Sequence, residues 1–240
     1  MRVKLYVVAA SHPCWAVARA LHLKGIDFKR VEWAPGMHVP MQKLRFGKRT
    51  VPGVVIDGER VVGSRQIMRR LDELVPEPRL YPEDPRVEDA DRWGEETLQP
   101  VARRLAWWGL RRRPAAILSF AEDSRLPFPP FVTKALTPLV APIEWSINDI
   151  SDEAVRCDLD ALSEHLAKAD GFIADGVIGG ERPNAADLQI GSSLALLHTN
   201  EDLWPLFADR PCERLARELF PDFPGRIPAG TFQVASAGVS

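Results

Sequence analysis

Apolar positions along the first eighty residues switch between two spacings, and each switch marks an element. Residues 3–8 (Val-Lys-Leu-Tyr-Val-Val) form a β-branched, strand-like run. Behind Pro13, residues Cys14, Val17, Ala18 and Leu21 recur at helical intervals and define one apolar face. Pro13 suits a first helical turn, where its missing N–H costs nothing, and Gly25 suits the C-cap. Phe28 to Trp33 predicts a second strand, parallel to the first and reached by a right-handed crossover. Ala34 to Thr50 shows no sustained period and reads as irregular. Val54-Val55-Ile56 and Val61-Val62, joined at Asp57-Gly58, predict a hairpin. Ser64 is the predicted N-cap of a helix whose stripe is Ile67, Leu71 and Leu74, and Pro76 and Pro78 stop it. The order βαβ, irregular, ββα closes an α/β unit over residues 1–76.

The pattern then changes character. Residues 75–86 hold Pro76, Pro78, Pro82 and Pro85, which makes 77–86 a stiff interdomain linker. Beyond it, strand alternation is absent. Val87 to Trp108 predicts a long helix that Pro100 kinks or divides. Five prolines between 126 and 142 break that stretch into short pieces. Glu153 to Ala169 is amphipathic, with Val155, Leu159, Leu162 and Leu166 on one face, and a further helix spans about Ala185 to Leu197. The reading is an all-α unit over 87–230, with a mobile tail at 231–240.

Composition narrows the class without naming a function. At 45% hydrophobic and 27% charged, the 240 residues are ordinary for a globular protein and enough for two small domains. A net charge of -2 gives no electrostatic case for nucleic acid or an acidic membrane as partner. Arg111, Arg112 and Arg113 read as a solvated helix end. No stretch has the roughly 18 apolar residues of a membrane span, and the first residues read as a strand rather than a signal peptide. Three widely spaced cysteines, Cys14, Cys157 and Cys212, argue against a disulfide framework and for a reducing compartment, the cytoplasm. None has zinc-like spacing with histidine, so no metal is expected.

Three short stretches could carry chemistry. Ser11-His12-Pro13-Cys14 sits between a strand and a helix N-terminus, where unpaired N–H groups and the helix dipole favour an anion such as a thiolate. A serine hydroxyl there could donate to that thiolate, or Ser11 and Pro13 could merely shape the turn. Thr50-Val51-Pro52-Gly53 precedes a strand. A cis Pro52 would turn Val51 outward to pair with a bound peptide, whereas a trans proline would simply open the strand. Ser64 in Gly63-Ser64-Arg65 could hold a carboxylate at its helix start, or act as a cap and nothing more. His12, Pro13 and Cys14 are candidate site-lining residues: His12 could bind substrate or tune the site but reads first as an exposed loop histidine, and Cys14 reads as packed. Of Trp107 and Trp108, one should fill the core and the other rim a pocket. Leu126 to Pro142 is the expected wall that sets ligand identity.

In order and context, these three motifs resemble the N-terminal domain of glutathione transferases over residues 1 to about 76. Leu21-His22-Leu23-Lys24-Gly25-Ile26 is similar to the usual end of that family's first helix. Gly179-Gly180-Glu181-Arg182-Pro183-Asn184-Ala185-Ala186-Asp187-Leu188 resembles its turn before the long core helix, with Asn184 and Asp187 at capping-box spacing. The resemblance implies an α/β thioredoxin-like N-terminal domain (βαβ-ββα) followed by an all-helical C-terminal domain. It also implies a serine-type site in which Ser11 is catalytic, Val51 and a cis Pro52 hold the thiol's peptide backbone, and Ser64 holds its γ-glutamyl carboxylate. The co-substrate would be glutathione or another low-molecular-weight thiol, the second ligand a small hydrophobic electrophile, and the assembly a homodimer. Gly63 departs from the family, which has an acid there, and Arg65 could add positive charge or could simply be solvated. The same departure raises a second reading, a non-catalytic binder of hydrophobic ligands or a partner protein. Ser-X-Pro-Cys also resembles the Cys-X-X-Cys of thioredoxins with its first cysteine replaced, which removes dithiol exchange.

Overall fold

In the computed structural model, residues 1–126 and 145–232 are described. The first part builds a four-stranded sheet from β1 (Val3–Val7), β2 (Phe28–Glu32), β3 (Gly53–Ile56) and β4 (Glu59–Val62), in the order β2-β1-β3-β4. β1 and β2 are parallel with Val3 opposite Phe28, as a strand–helix–strand crossover requires. β3 runs antiparallel to both β1 and β4, and Asp57 and Gly58 turn the hairpin with φ of 47° and 100°. Those left-handed values are what a two-residue turn matched to strand twist demands.

Helix α1 (His12–Leu23) lays Cys14, Val17, Ala20 and Leu21 into the core. It ends where Gly25, at φ 63°, lets the Ile26 N–H donate back to the Leu21 carbonyl at 2.9 Å. Helix α3 (Ser64–Leu74) buries Ile67, Met68 and Leu71. Two expectations change here. The stretch 34–50 is not irregular throughout, because α2 (His38–Phe46) occupies it and stops at Gly47. Its buried residues are His38 and Gln42, both polar, while Leu44 is exposed, so no apolar stripe advertises the helix. In addition, the N-cap of α3 is Gly63, with Ser64 its first helical residue. The chain enters the helix at φ 94°, which glycine adopts without penalty, and a Cβ there would stand 2.3 Å from Gln66 Oε1.

The proline-rich stretch after α3 is a packed strap. Leu80 is fully buried, its carbonyl accepts from Ala185 N–H at 2.8 Å, and the Asp72 carboxylate accepts from the N–H groups of Leu80 and Tyr81. The other elements described after it are helical. Helix α4 (Pro85–Trp93) passes through a π-helical turn (Gly94–Leu98) into α5 (Gln99–Arg112). The wider turn sits just ahead of Pro100, whose ring and missing N–H forbid a regular α-helical turn. Short helix α6 (Ile117–Phe120) follows, then α7 (Asp152–Ala174), α8 (Ala185–His198), α9 (Trp204–Phe207) and α10 (Pro211–Leu219).

Helix α8 is the hub, buried from Ala185 to Leu197 and packed against α1, α4, α5 and α10. Asn184 and Asp187 form the expected capping box. The Arg111–Arg113 run is not simply solvated. Arg111 stacks over Trp145, Arg112 over Trp108, and Arg113 donates to Thr231 and the Gly230 carbonyl. The start of the expected mobile tail is likewise anchored. Asp202 accepts from the N–H groups of Gly230, Thr231 and Phe232, and Phe232 stacks on Trp108 with centroids 5.0 Å apart. Residues 233–240 lie outside the described residues, as does most of the expected ligand wall, Leu126 to Pro142, of which only Leu126 is described.

Candidate functional site

A cleft opens where the sheet unit meets the helices. Its floor on one side is the β1–α1 connection, Val8 to Pro13, with His38 from α2 and Arg49, Thr50 and Val51 from the loop before β3. Opposite stand Arg103, Ala106, Trp107 and Leu110 of α5, at i, i+3, i+4 and i+7, with Ile117 and Phe120 of α6 and Leu196 of α8. The helical side is therefore largely apolar, and the sheet side presents polar loop groups.

Ser11 is half-buried and directly precedes α1 with an extended backbone. Its hydroxyl does not cap the helix, so the side chain is not consumed by the turn it helps to form. Instead it reaches the sulfur of Cys14. Burial pushes that thiol up to about 11, and the Ser11 hydrogen bond pulls weakly the other way. Cys14 is thus a buried, protonated packing residue, as its place on the apolar face of α1 suggested. Ala10, just before Ser11, has φ 55°, an uncommon conformation for alanine that aims the following residues into the cleft.

His12 corrects the expectation of an exposed loop residue. It is the first residue of α1 and only 2% exposed, because the chain folds it under the helix start. Burial, then the Arg103 guanidinium, hold its pKa well below the ordinary histidine value. His38 is pushed down to about 4 by the same two causes in the same order. Both imidazoles are accordingly neutral at pH 7. Arg103 donates to Asn148 Oδ1 at 3.2 Å and to Gln99 Oε1 at 2.8 Å.

The Val51–Pro52 bond is cis, and the backbone N–H and C=O of Val51 make no hydrogen bond among the described residues. Pro52 is buried, with its carbonyl accepting from Gly63 N–H at 3.0 Å. Ser11, His12, Pro13, Val51 and Trp107 line the cleft, whereas Cys14, Pro52, Ser64, Arg65 and Trp108 do not. Trp108 is the core tryptophan of the pair, its indole N–H donating to Asp152 at 2.8 Å. Ser64 is buried at the start of α3. Arg65 is neither solvated nor aimed at the cleft. Its Nε donates to Asp91 at 2.7 Å, its other end lies 3.6 Å from Glu95, and Tyr81 also donates to Asp91.

Residues 5–79 match the family model described as glutathione S-transferase, N-terminal domain. Glutathione S-transferase 1 of Dianthus caryophyllus is 35% identical over 86 residues, covering 35% of this chain and 39% of that protein. Over this stretch the chain is similar to the N-terminal domain of glutathione S-transferases. Maleylacetoacetate isomerase of Mus musculus is 39% identical over 87 residues, 34% of this chain and 40% of that protein. The matched stretch thus spans about two fifths of each curated relative. Poplar glutathione transferase F1 shares the fold over the whole length, with a TM-score of 0.62 at 15% identity, covering 99% of this chain and 97% of that one. This is the thioredoxin-like sheet unit followed by a mostly helical region that the motifs implied.

The cleft also holds polar residues that sequence reading missed, Arg103, His38, Arg49 and Asn148. Arg103 had a usable signal, its i+4 spacing to Trp107 on α5. His38 had none, because α2 lacks an apolar stripe. Among the described residues, no group of His, Cys, Asp and Glu could hold a metal ion, and no helix is long and apolar enough to cross a membrane.

Proposed function

We propose that this protein conjugates a low-molecular-weight thiol, glutathione in the first instance, to a hydrophobic electrophile in the cleft. One observation carries the reading: Ser11, its hydroxyl uncommitted to capping, stands at the N-terminus of α1 and lines the same cleft as Trp107, Leu110, Ile117 and Phe120. The helix dipole and the hydroxyl both favour a thiolate over a thiol. Val51 offers an unpaired peptide edge for the backbone of a cysteine-containing ligand. Ser64, buried at the start of α3 and outside the cleft lining, is the candidate carboxylate contact. The bound thiol gives up its proton to solvent, and the sulfur lone pair attacks the electrophilic carbon. A C–S bond forms as the leaving group departs with its electron pair.

The reading extends to the assembly and setting. Two copies form a homodimer, the protein is cytoplasmic, and neither nucleic acid nor membrane is a partner, in keeping with a net charge of -2. Glutathione and an activated aryl halide test the chemistry by the absorbance of the thioether. Ser11→Ala removes one charge-assisted hydrogen bond and should lower kcat/KM about ten- to a hundredfold. No rate above background with glutathione or any other cellular thiol would sink the reading.

A second reading, a non-catalytic binder of hydrophobic ligands, is favoured by Gly63, which lacks the family's acid, and by Arg65, which is tied to Asp91. Thermal stabilisation by hydrophobic ligands but by no thiol would select it.

A further inference from the structure

His12 occupies an unusual position. It is the first residue of α1, next to Ser11, and both line the cleft at the same helix end. Its side chain is buried, yet Nε2 has no hydrogen-bond partner. A buried polar atom left unpaired costs free energy, and native structures keep few of them. The natural moment for such an atom to find a partner is ligand binding. The ring is neutral, so it brings one N–H and one lone pair but no charge. Among the described residues, Arg103 of α5, His38 of α2 and Arg49 are the other titratable groups on the cleft walls, and none of them adjoins Ser11 in the chain.

We propose that His12 is a second catalytic residue of the cleft, whose Nε2–H donates to the thiolate that Ser11 also holds. The inference rests on the thiol-conjugation reading and deepens it. Two neutral donors converging on one sulfur, at a helix N-terminus, lower the thiol pKa without placing a cation beside it. The weak basicity of the buried ring suits this role. A neutral donor cannot be converted into a competing proton acceptor near pH 7, and the thiol proton leaves to solvent instead. Ser11 alone would share its hydroxyl with Cys14, which gives the sulfur reason to need a second donor.

The test follows the ultraviolet thiolate band of glutathione bound to the full-length protein as pH is raised. His12→Phe keeps a ring and removes the nitrogen. It should raise the apparent pKa of the bound thiol by about one unit or more, the effect of losing one hydrogen bond to a charged group. His12→Gln places an amide N–H near the Nε2 position and should restore at least half of that shift. Histidine-selective nitrogen NMR of the wild type gives a measurement that needs no variant, with the His12 Nε2 resonance moving when glutathione binds. An unchanged thiol pKa in folded His12→Phe would overturn the proposal even if turnover fell, because His12 would then act on the electrophile. An unmoved Nε2 resonance at saturating glutathione would overturn it as well. If the wild type shows no thiolate band with glutathione, the conjugation reading fails first and this inference fails with it.

Discussion

The side chain of Asn184 ties together the start of α8, and its removal has a magnitude that can be worked out. Its Oδ1 accepts from Ala186 N–H at 2.9 Å and Asp187 N–H at 3.1 Å, while its Nδ2 donates to the Val177 carbonyl at 2.8 Å. Asn184→Ala removes the cap, worth about 1 kcal/mol. It also strands the carbonyl of Val177, a residue 3% exposed, at a further cost of roughly 1–3 kcal/mol. The sum is about 2–4 kcal/mol, or about 5–15 °C in Tm for a chain of this size. Because α8 packs against α1, α4, α5 and α10, the loss should appear as a shift of one cooperative transition rather than local fraying. Urea unfolding followed by tryptophan fluorescence and far-UV circular dichroism measures it, the two probes being required to coincide. Asn184→Ser keeps a cap acceptor but cannot reach Val177, and should cost about half as much. A change below about 0.5 kcal/mol in Asn184→Ala would refute the reasoning. So would Asn184→Ser matching Asn184→Ala, since the cap would then contribute nothing.

Three further outcomes are expected. Asp72→Ala leaves Lys24, whose side chain is fully buried, without its carboxylate and frees the N–H groups of Leu80 and Tyr81; urea titration should show a loss of about 3–5 kcal/mol, and Lys24→Met should recover part of it. Cys157 is exposed, whereas Cys14 and Cys212 are buried with thiols pushed up to about 11 and about 12, so a thiol reagent should label the native protein at Cys157 alone and Cys157→Ser should abolish the fast phase. The depressed pKa of His12 means that the unfolded chain binds the proton more tightly, so its contribution is present above about pH 6.5 and lost as pH falls towards the folded value. As pH falls from 6.5 towards 5 the wild type should lose stability more steeply than His12→Gln, and parallel stability curves for the two would contradict that sign.

The local signals in this chain were strong where one residue type had one physical reason to be there. Pro13 at a helix start, Asp57-Gly58 between strands and the Asn184–Asp187 spacing each named their own backbone geometry, and the structure has all three. Pro100 predicted a break and is met by a π-helical turn. The failures share a cause as well. Helix α2 buries His38 and Gln42 rather than an apolar stripe, so its period was invisible. The helix cap at Gly63 in place of Ser64 depended on a φ of 94°, which composition does not display.

The candidate site divides along the same line. Ser11 and Val51 were legible because a helix N-terminus and an X-Pro before a strand are local facts, and both line the cleft; which of Trp107 and Trp108 would join them was not legible. Nor were their distances to one another. Whether Arg65 was solvated or paired depended on Asp91, twenty-six residues away, and whether His12 was exposed depended on packing that its neighbours in the chain do not display. Sequence alone determined most of the elements and the two-part order, because those follow from nearest neighbours and period. Only the tertiary structure decided which polar groups were buried, which were neutral and which were left without a partner. Burial and Coulomb interactions act between residues far apart in the chain, as the effect of Arg103 on His12 illustrates.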